Sequence, residues 1–288
     1  MSNYALEINS VNKKYDSFSL KDIDIKLEKG TVMGLVGQNG AGKTTLINLI
    51  MNKIRRDSGE IRVFGFDNIN DEPKVKNLIG YVADEDYMYF GFTMEKYRKI
   101  FSMAYEKWNG ELFDDLCRKF DLPMKKKFSE FSKGMKTKAM LALALAHEPK
   151  VMLMDEPTAG LDPVARIEIL DMLRDFVSDG EKAVLFSTHI TSDLDKIADY
   201  ITLIIDGEII EAMSIDMVEE KYAVITGSGK PSDSISKYLI GIRQGNSSYT
   251  ALAKREDVKK LGDVSVHTPD IENLLTHNIW HKKNGKGA

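Results

Sequence analysis

Apolar and polar positions near the start of the chain alternate with the two-residue rhythm of a half-buried sheet. Leu6 to Val11 reads as a strand, and Ile23, Ile25 and Leu27 alternate with charged residues, as in an antiparallel strand with one wet face. Thr31 to Val36 breaks that rhythm with a continuous apolar run, followed by a glycine-rich turn and a helix over Lys43 to Asn52. Val151 to Met154 and Ala183 to Phe186 are further uninterrupted apolar runs, the pattern of parallel strands covered on both faces. Met94, Tyr97, Phe101, Ala104 and Trp108 recur at helical spacing from Thr93 to Trp108, and Leu112, Phe113, Leu116 and Phe120 repeat the pattern. Residues from about 87 to 145 therefore read as a helical subdomain. Tyr200 to Ile205 and Glu208 to Ala212 flank Asp206-Gly207, a hairpin signal. After Met213 the texture changes: strand-like Tyr222 to Thr226 and Tyr249 to Ala253 are broken by GSGKPSDS and QGNSS, and a last helix begins near Pro269. This stretch reads as a small second domain, and HKKNGKGA (281–288) as a disordered tail. No internal repeat is apparent.

A chain of 288 residues has room for one large domain or two smaller ones with proper cores. Composition narrows the function more than the fold. With 43% hydrophobic and 29% charged residues the balance is that of an ordinary globular protein. A net charge of −4 without a long basic stripe disfavours a nucleic-acid partner. The lone cysteine, Cys117, excludes an intrachain disulfide and fits a reducing compartment. The opening MSNYALEINS has no basic segment leading into an apolar one, and the longest strictly apolar run, Ala139 to Ala146, is far short of a membrane span. The expectation is a cytoplasmic chain whose membrane role comes through a partner.

The chemistry sits in short motifs. Gly37, Gln38, Asn39, Gly40, Ala41, Gly42, Lys43 and Thr44 match G-x-x-x-x-G-K-[ST] between an apolar strand and a helix, the context that this phosphate loop requires. Its glycines let backbone amides face the phosphates, Lys43 reaches the outer phosphates, and the Thr44 hydroxyl ligates Mg²⁺. VMLMDEP closes a buried strand with Asp155 and Glu156 side by side, and successive strand residues point to opposite faces. Asp155 is thus expected to hold Mg²⁺ through its water shell, and Glu156 to orient and polarise the attacking water. His189 ends the apolar strand AVLFST. A lone histidine there is more often structural, and only the company of the other motifs assigns it a hydrogen bond to a γ-phosphate. In FSKGM, Ser132 is placed as an N-cap before a helix-forming run, so the amides of Lys133 and Gly134 make a small anion site.

In this order the pieces resemble the ATP-binding subunit of an ATP-binding cassette (ABC) transporter. The resemblance covers residues 4 to about 212: GQNGAGKTT as Walker A, through Thr45, FSKGM as the signature, VMLMDE as Walker B, AGLD as the D-loop, and the histidine of FSTHI. It implies an α/β P-loop NTPase cassette over 1–214, with a RecA-like core, an antiparallel β subdomain and a helical subdomain. A small C-terminal α+β domain over 215–280 follows, expected to be dispensable for ATP binding and to add contact between two copies. The implied ligands are ATP and Mg²⁺. The implied assembly is a homodimer, or a pair with another ABC ATPase, on a separate transmembrane permease at the inner face of the membrane. The two cassettes meet head to tail, so Phe131, Ser132, Lys133, Gly134 and Met135 act on the partner's ATP, and Asp162 carries information between the sites. Tyr15 stands where the family places an aromatic that stacks on adenine; its other reading is a plain strand-end aromatic.

Two positions depart from the pattern. Lys133 replaces the first of two glycines after the signature serine, which costs little if its amide still points inward. Asp84, with Glu85 next to it, stands where a glutamine is expected after IGYVA, and a carboxylate there can approach Mg²⁺ or the lytic water. The aromatic residues beyond it (Tyr87, Tyr89, Phe90, Phe92) are candidates either for a groove that receives a permease helix or for simple core packing. Lys125 to Lys127 reads as a solvated face. One cassette and no heptad run argue against ribosome-acting and DNA-repair members. A regulatory or immunity module that binds ATP without transport stays open. LALALAHEPK and the C-terminal extension resemble separate-chain ATPases of bacterial exporters, some of which move antimicrobial or toxin peptides.

Overall fold

The computed structural model describes residues 3–84 and 88–285; Glu85 and Tyr87 lie outside the described residues. The apolar runs become a six-stranded sheet of order β10-β9-β3-β8-β7-β6. Its strands are β3 (Val32–Val36), β6 (Ile79–Val82), β7 (Val151–Asp155), β8 (Ala183–Thr188), β9 (Tyr200–Ile205) and β10 (Glu208–Ser214), with only β10 antiparallel. Because side chains alternate along a strand, each buried strand feeds two cores. Val151, Leu153, Leu185 and Leu35 face the core shared with the N-terminal antiparallel sheet. Met152, Met154, Phe186 and Val36 face the helices on the other side. This explains why these strands read as solid apolar runs rather than alternating ones.

The N-terminal sheet has the order β2-β1-β4-β5, from β1 (Tyr4–Lys14), β2 (Ser19–Glu28), β4 (Ser58–Val63) and β5 (Phe66–Asp67). Helix α1 (Lys43–Ile50) follows β3 directly and buries Leu46, Ile47, Leu49 and Ile50. Short α2 (Glu72–Leu78) leads into β6. The helical region carries α3 (Met94–Ala104), α4 (Gly110–Lys119) and α5 (Lys133–Leu145). Helix α3 stops at Ala104 rather than Trp108: Tyr105 leaves the helix with extended backbone and stacks on His147, ring centroids 4.0 Å apart. Helices α6 (Pro163–Val177) and α7 (Thr191–Ile197) complete the cover of the parallel sheet. Among the described residues, no helix is long and apolar enough to cross a membrane.

The C-terminal unit begins with α8 (Ile215–Lys221). It builds a sheet of order β12-β13-β11-β14 from β11 (Tyr222–Ser228), β12 (Leu239–Gln244), β13 (Ser248–Lys254) and β14 (Ser265–His267), with short α9 (Asp233–Ser236) between β11 and β12. Helix α10 (Ile271–Gly285) continues through 281–285 of the expected disordered tail, and 286–288 lie outside the described residues. The correction has a physical cause: Lys282 Nζ donates to Ile205 O at 2.9 Å and to Glu208 Oε2 at 2.8 Å, anchoring the last turns to the β9–β10 hairpin. Hydrogen bonds from Lys282 and then Lys21 push the Glu208 carboxyl down to about 2, so this clamp stays charged through the ordinary carboxylate range.

Helix α10 also returns Ile271, Leu274 and Leu275 to the same core as Leu194 and Ile197 of α7. The C-terminal unit thus has a core of its own, with Ala223, Ile225, Leu239 and Ala251, and a second one shared with α7. Leu274 is 1% exposed, and Leu274→Ala is expected to cost about 2–5 kcal/mol for the whole chain in one transition. The two tryptophans are built-in probes, Trp108 in the helical region and Trp280 on α10. Single-tryptophan variants should show one shared urea midpoint that moves with the substitution. A midpoint at Trp108 that stays put while Trp280 shifts would make the C-terminal unit independent.

Candidate functional site

The turn after β3 and the first turn of α1 form one wall of a cavity of about 1040 Å³. Helix α1 has Gly42 at its N-cap with φ 112°, a conformation open to glycine, and the cap makes no side-chain hydrogen bond. A Cβ on Gly37 would come within 2.5 Å of Ile204 O, so the loop can pass only with glycine there. The turn is closed by Ala41 N donating to Gln38 O at 3.1 Å. Asn39, Gly40, Thr44 and Thr45 line the cavity, leaving the first-turn amides of α1 facing a space shaped for an anion.

Lys43 is 5% exposed and donates to Gly37 O at 2.7 Å. Its Nζ also lies 3.1 Å from Glu156 Oε1, with both side chains largely buried. That contact is an ion pair rather than an aligned hydrogen bond, since Glu156 Oε1 is a buried oxygen without a hydrogen-bond partner. The other carboxylate oxygen meets His189: Nδ1 lies 2.7 Å from Glu156 Oε2, and the His189 amide donates to it at 3.3 Å. Lys43 and His189, expected to meet phosphate, and Glu156, expected to orient the attacking water, thus form one chain of contacts. Glu156 adopts φ 49°, uncommon for a residue with a side chain, and is held there by its amide donating to Ser187 O at 3.1 Å and to Ser187 Oγ at 3.2 Å.

Asp155 and Glu156 diverge as strand neighbours should. Asp155 is 2% exposed, accepts from Ser187 Oγ at 2.5 Å, and is not among the residues lining the cavity. Thr44 and Asp84 do line it. Among the described residues, no three Asp, Glu, His or Cys side chains gather around a metal. A site with one exposed hydroxyl and one or two carboxylates still fits Mg²⁺, which keeps several waters and takes its other ligands from phosphate.

Tyr15 sits at the cavity mouth, 42% exposed, in a turn closed by its amide donating to Phe18 O at 2.7 Å. The signature lies elsewhere. Ser132 caps α5 by accepting from Met135 N at 3.3 Å, as its sequence context predicts, while Phe131 is buried against Phe128. None of residues 131–135 is among those lining the cavity of the same chain. Asp162 caps α6, and hydrogen bonds from the amides of Ala165 and Val164 hold its carboxyl below the usual range. Of the aromatic run, Tyr89 and Phe90 are 67% and 48% exposed, whereas Phe92 packs against the helical core.

Sequence reasoning missed Phe18, Asp206 and Ser187. Phe18 and Asp206 line the cavity, and a Cβ on Gly42 would come within 2.8 Å of the Phe18 ring. No motif marks Phe18, and Asp206 reads in the sequence only as part of a hairpin turn. Ser187 stands beside Asp155 only through the parallel register of β7 with β8.

The family model for ABC transporters matches residues 20–159, and a model described as an AAA domain, putative AbiEii toxin, type IV toxin–antitoxin system, matches residues 125–194. The ABC transporter ATP-binding protein YtrB of Bacillus subtilis is 30% identical over 278 residues, 95% of each chain, so the C-terminal unit shares in the similarity. The daunorubicin resistance ATP-binding protein DrrA3 of Streptomyces coeruleorubidus is 32% identical, over 75% of this chain and 70% of its own. The bacitracin transport ATP-binding protein BcrA of Bacillus licheniformis is 27% identical, over 75% and 72%. Among solved structures, an ATP-binding subunit of an ABC transporter superposes with a TM-score of 0.70 at 27% identity, covering 75% of this chain and 92% of its own.

Proposed function

The chain belongs to the ABC transporter family as an ATP-binding subunit, and on that premise we propose that it hydrolyses ATP to power export through a separate membrane permease. The observation that carries the catalytic half is the buried run of contacts Lys43–Glu156–His189 at the phosphate loop. Lys43 neutralises the outer phosphates. Glu156 orients the attacking water and takes its proton, and His189 fixes that carboxylate while reaching the γ-phosphate. Lys43 and Glu156 face each other at 3.1 Å, so the phosphates and the carboxylate share one ammonium. Thr44, and Asp155 through a water shell, would hold Mg²⁺, which supplies the charge neutralisation of the phosphates. Tyr15 stacks on adenine at the cavity mouth. Two copies pair head to tail, each presenting Ser132 and Gly134 to the other's ATP, with Asp162 between the sites.

The exposed Tyr89 and Phe90 offer a contact for a permease helix. Relatives named for daunorubicin resistance and bacitracin transport support export, and antimicrobial or toxin peptides are the cargo class we propose. The test is purification of the tagged chain from membranes of its native cell. An integral membrane protein should copurify, and the double substitution Tyr89→Ala with Phe90→Ala should release it. A chain that binds ATP yet runs alone in the soluble fraction would favour the regulatory or immunity reading.

A further inference from the structure

The two departures from the family pattern, an acid at 84 and a lysine at 133, are distant in the sequence, yet the fold makes them neighbours. Lys133 Nζ lies 3.7 Å from Asp84 Oδ1, with 53% and 45% of the two side chains exposed. Asp84 follows β6 and lines the same cavity as Lys43 and Glu156. Lys133 opens α5 and is not among the residues lining that cavity. Its stem also lies over the AGLD loop, with Nζ 3.5 Å from the point where a Cβ on Gly160 would sit.

Glutamine and glycine at these positions carry no charge. Aspartate alone would set a negative charge at the mouth of a cavity that receives several negative phosphate oxygens. Lysine beside it cancels that charge. An exposed pair of this kind adds little to folding.

We propose that Lys133 is a positioning residue for its own chain's nucleotide cavity, neutralising Asp84 in cis so that the acid can stand there without repelling phosphate. This rests on the proposed ATP-binding function and adds a duty to a motif otherwise assigned to the partner's ATP.

The test is a double-substitution cycle in the full-length chain, measuring ATP affinity with Mg²⁺ under hydrolysis-blocking conditions at low and high salt. Lys133→Gln should weaken binding about two- to five-fold at low ionic strength. Lys133→Arg should bind as the native chain does. In an Asp84→Asn background Lys133→Gln should have no further effect, and high salt should erase the difference. An equal loss in both backgrounds would mean that Lys133 touches phosphate directly, and it would overturn the cis role. A loss that persists at high salt, or no loss at all, would overturn it too. Failure of the native chain to bind ATP would sink the proposed function and this inference together, whereas native binding without coupling would sink only the inference.

Discussion

Glu156→Gln is expected to keep ATP binding and to lose about 10²–10⁴-fold in turnover, the usual cost of removing a general base. The amide is nearly isosteric and keeps one oxygen acceptor, so the left-handed backbone at this residue, held by Ser187, should survive. It cannot take a proton from water. It also cannot form the ion pair with Lys43 that the native carboxylate makes at 3.1 Å. The carboxylate and the phosphates share that one ammonium. Affinity should therefore stay level or rise as hydrolysis falls, a split that general damage to the site would not give. Phosphate release and equilibrium nucleotide binding, measured on the same preparation, check both halves. Turnover above about a tenth of native would assign the base to another group, with Asp84, on the same cavity, the first to examine.

What the sequence displays is chemistry that is local and burial that is symmetric. The phosphate loop is legible because phosphate binding fixes glycine, lysine and threonine at set spacings within a single turn. Val151–Met154 is legible because a strand facing two cores has no polar face to confuse the pattern. The contacts that organise the site are of another kind. Ser187 meets Asp155, and His189 meets Glu156, because β8 runs parallel beside β7. Lys133 meets Asp84 because α5 returns to the end of β6. A sheet order of β10-β9-β3-β8-β7-β6 places strands side by side that are far apart in the chain, and no local period records it. The boundary near Met213 lies beside the start of α8 at Ile215 and of a separate four-stranded sheet. The change of texture there is real, but α10 closes back on α7 by tertiary packing, which composition does not carry.

The mixed dimer of Ser132→Arg with Lys43→Ala is expected to trap about one ATP where the native pair traps about two, if a two-fold pairing builds each site from the phosphate loop of one chain and the signature of the other. Ser132 caps α5 at an exposed position that is not part of its own chain's cavity, so arginine there should leave ATP binding to the single chain intact. Losing the cap costs that helix about 1 kcal/mol, too little to unfold it. On the proposed head-to-tail pairing, the arginine instead fills the space meant for the partner's γ-phosphate and blocks closure. Lys43→Ala fails for another reason: it removes the buried cation that both Gly37 O and Glu156 face, so the phosphates lose their neutralising charge. In the mixed pair, head-to-tail geometry puts both lesions into one composite site and leaves the other with an intact loop and an intact signature. A signature acting within its own chain would give each subunit one lesion and leave no whole site. The two readings therefore differ by all or none in a single count. Nucleotide trapped per purified mixed dimer, with hydrolysis blocked, supplies it. No trapped ATP in the mixed dimer, alongside normal trapping in the native pair, would refute action across subunits.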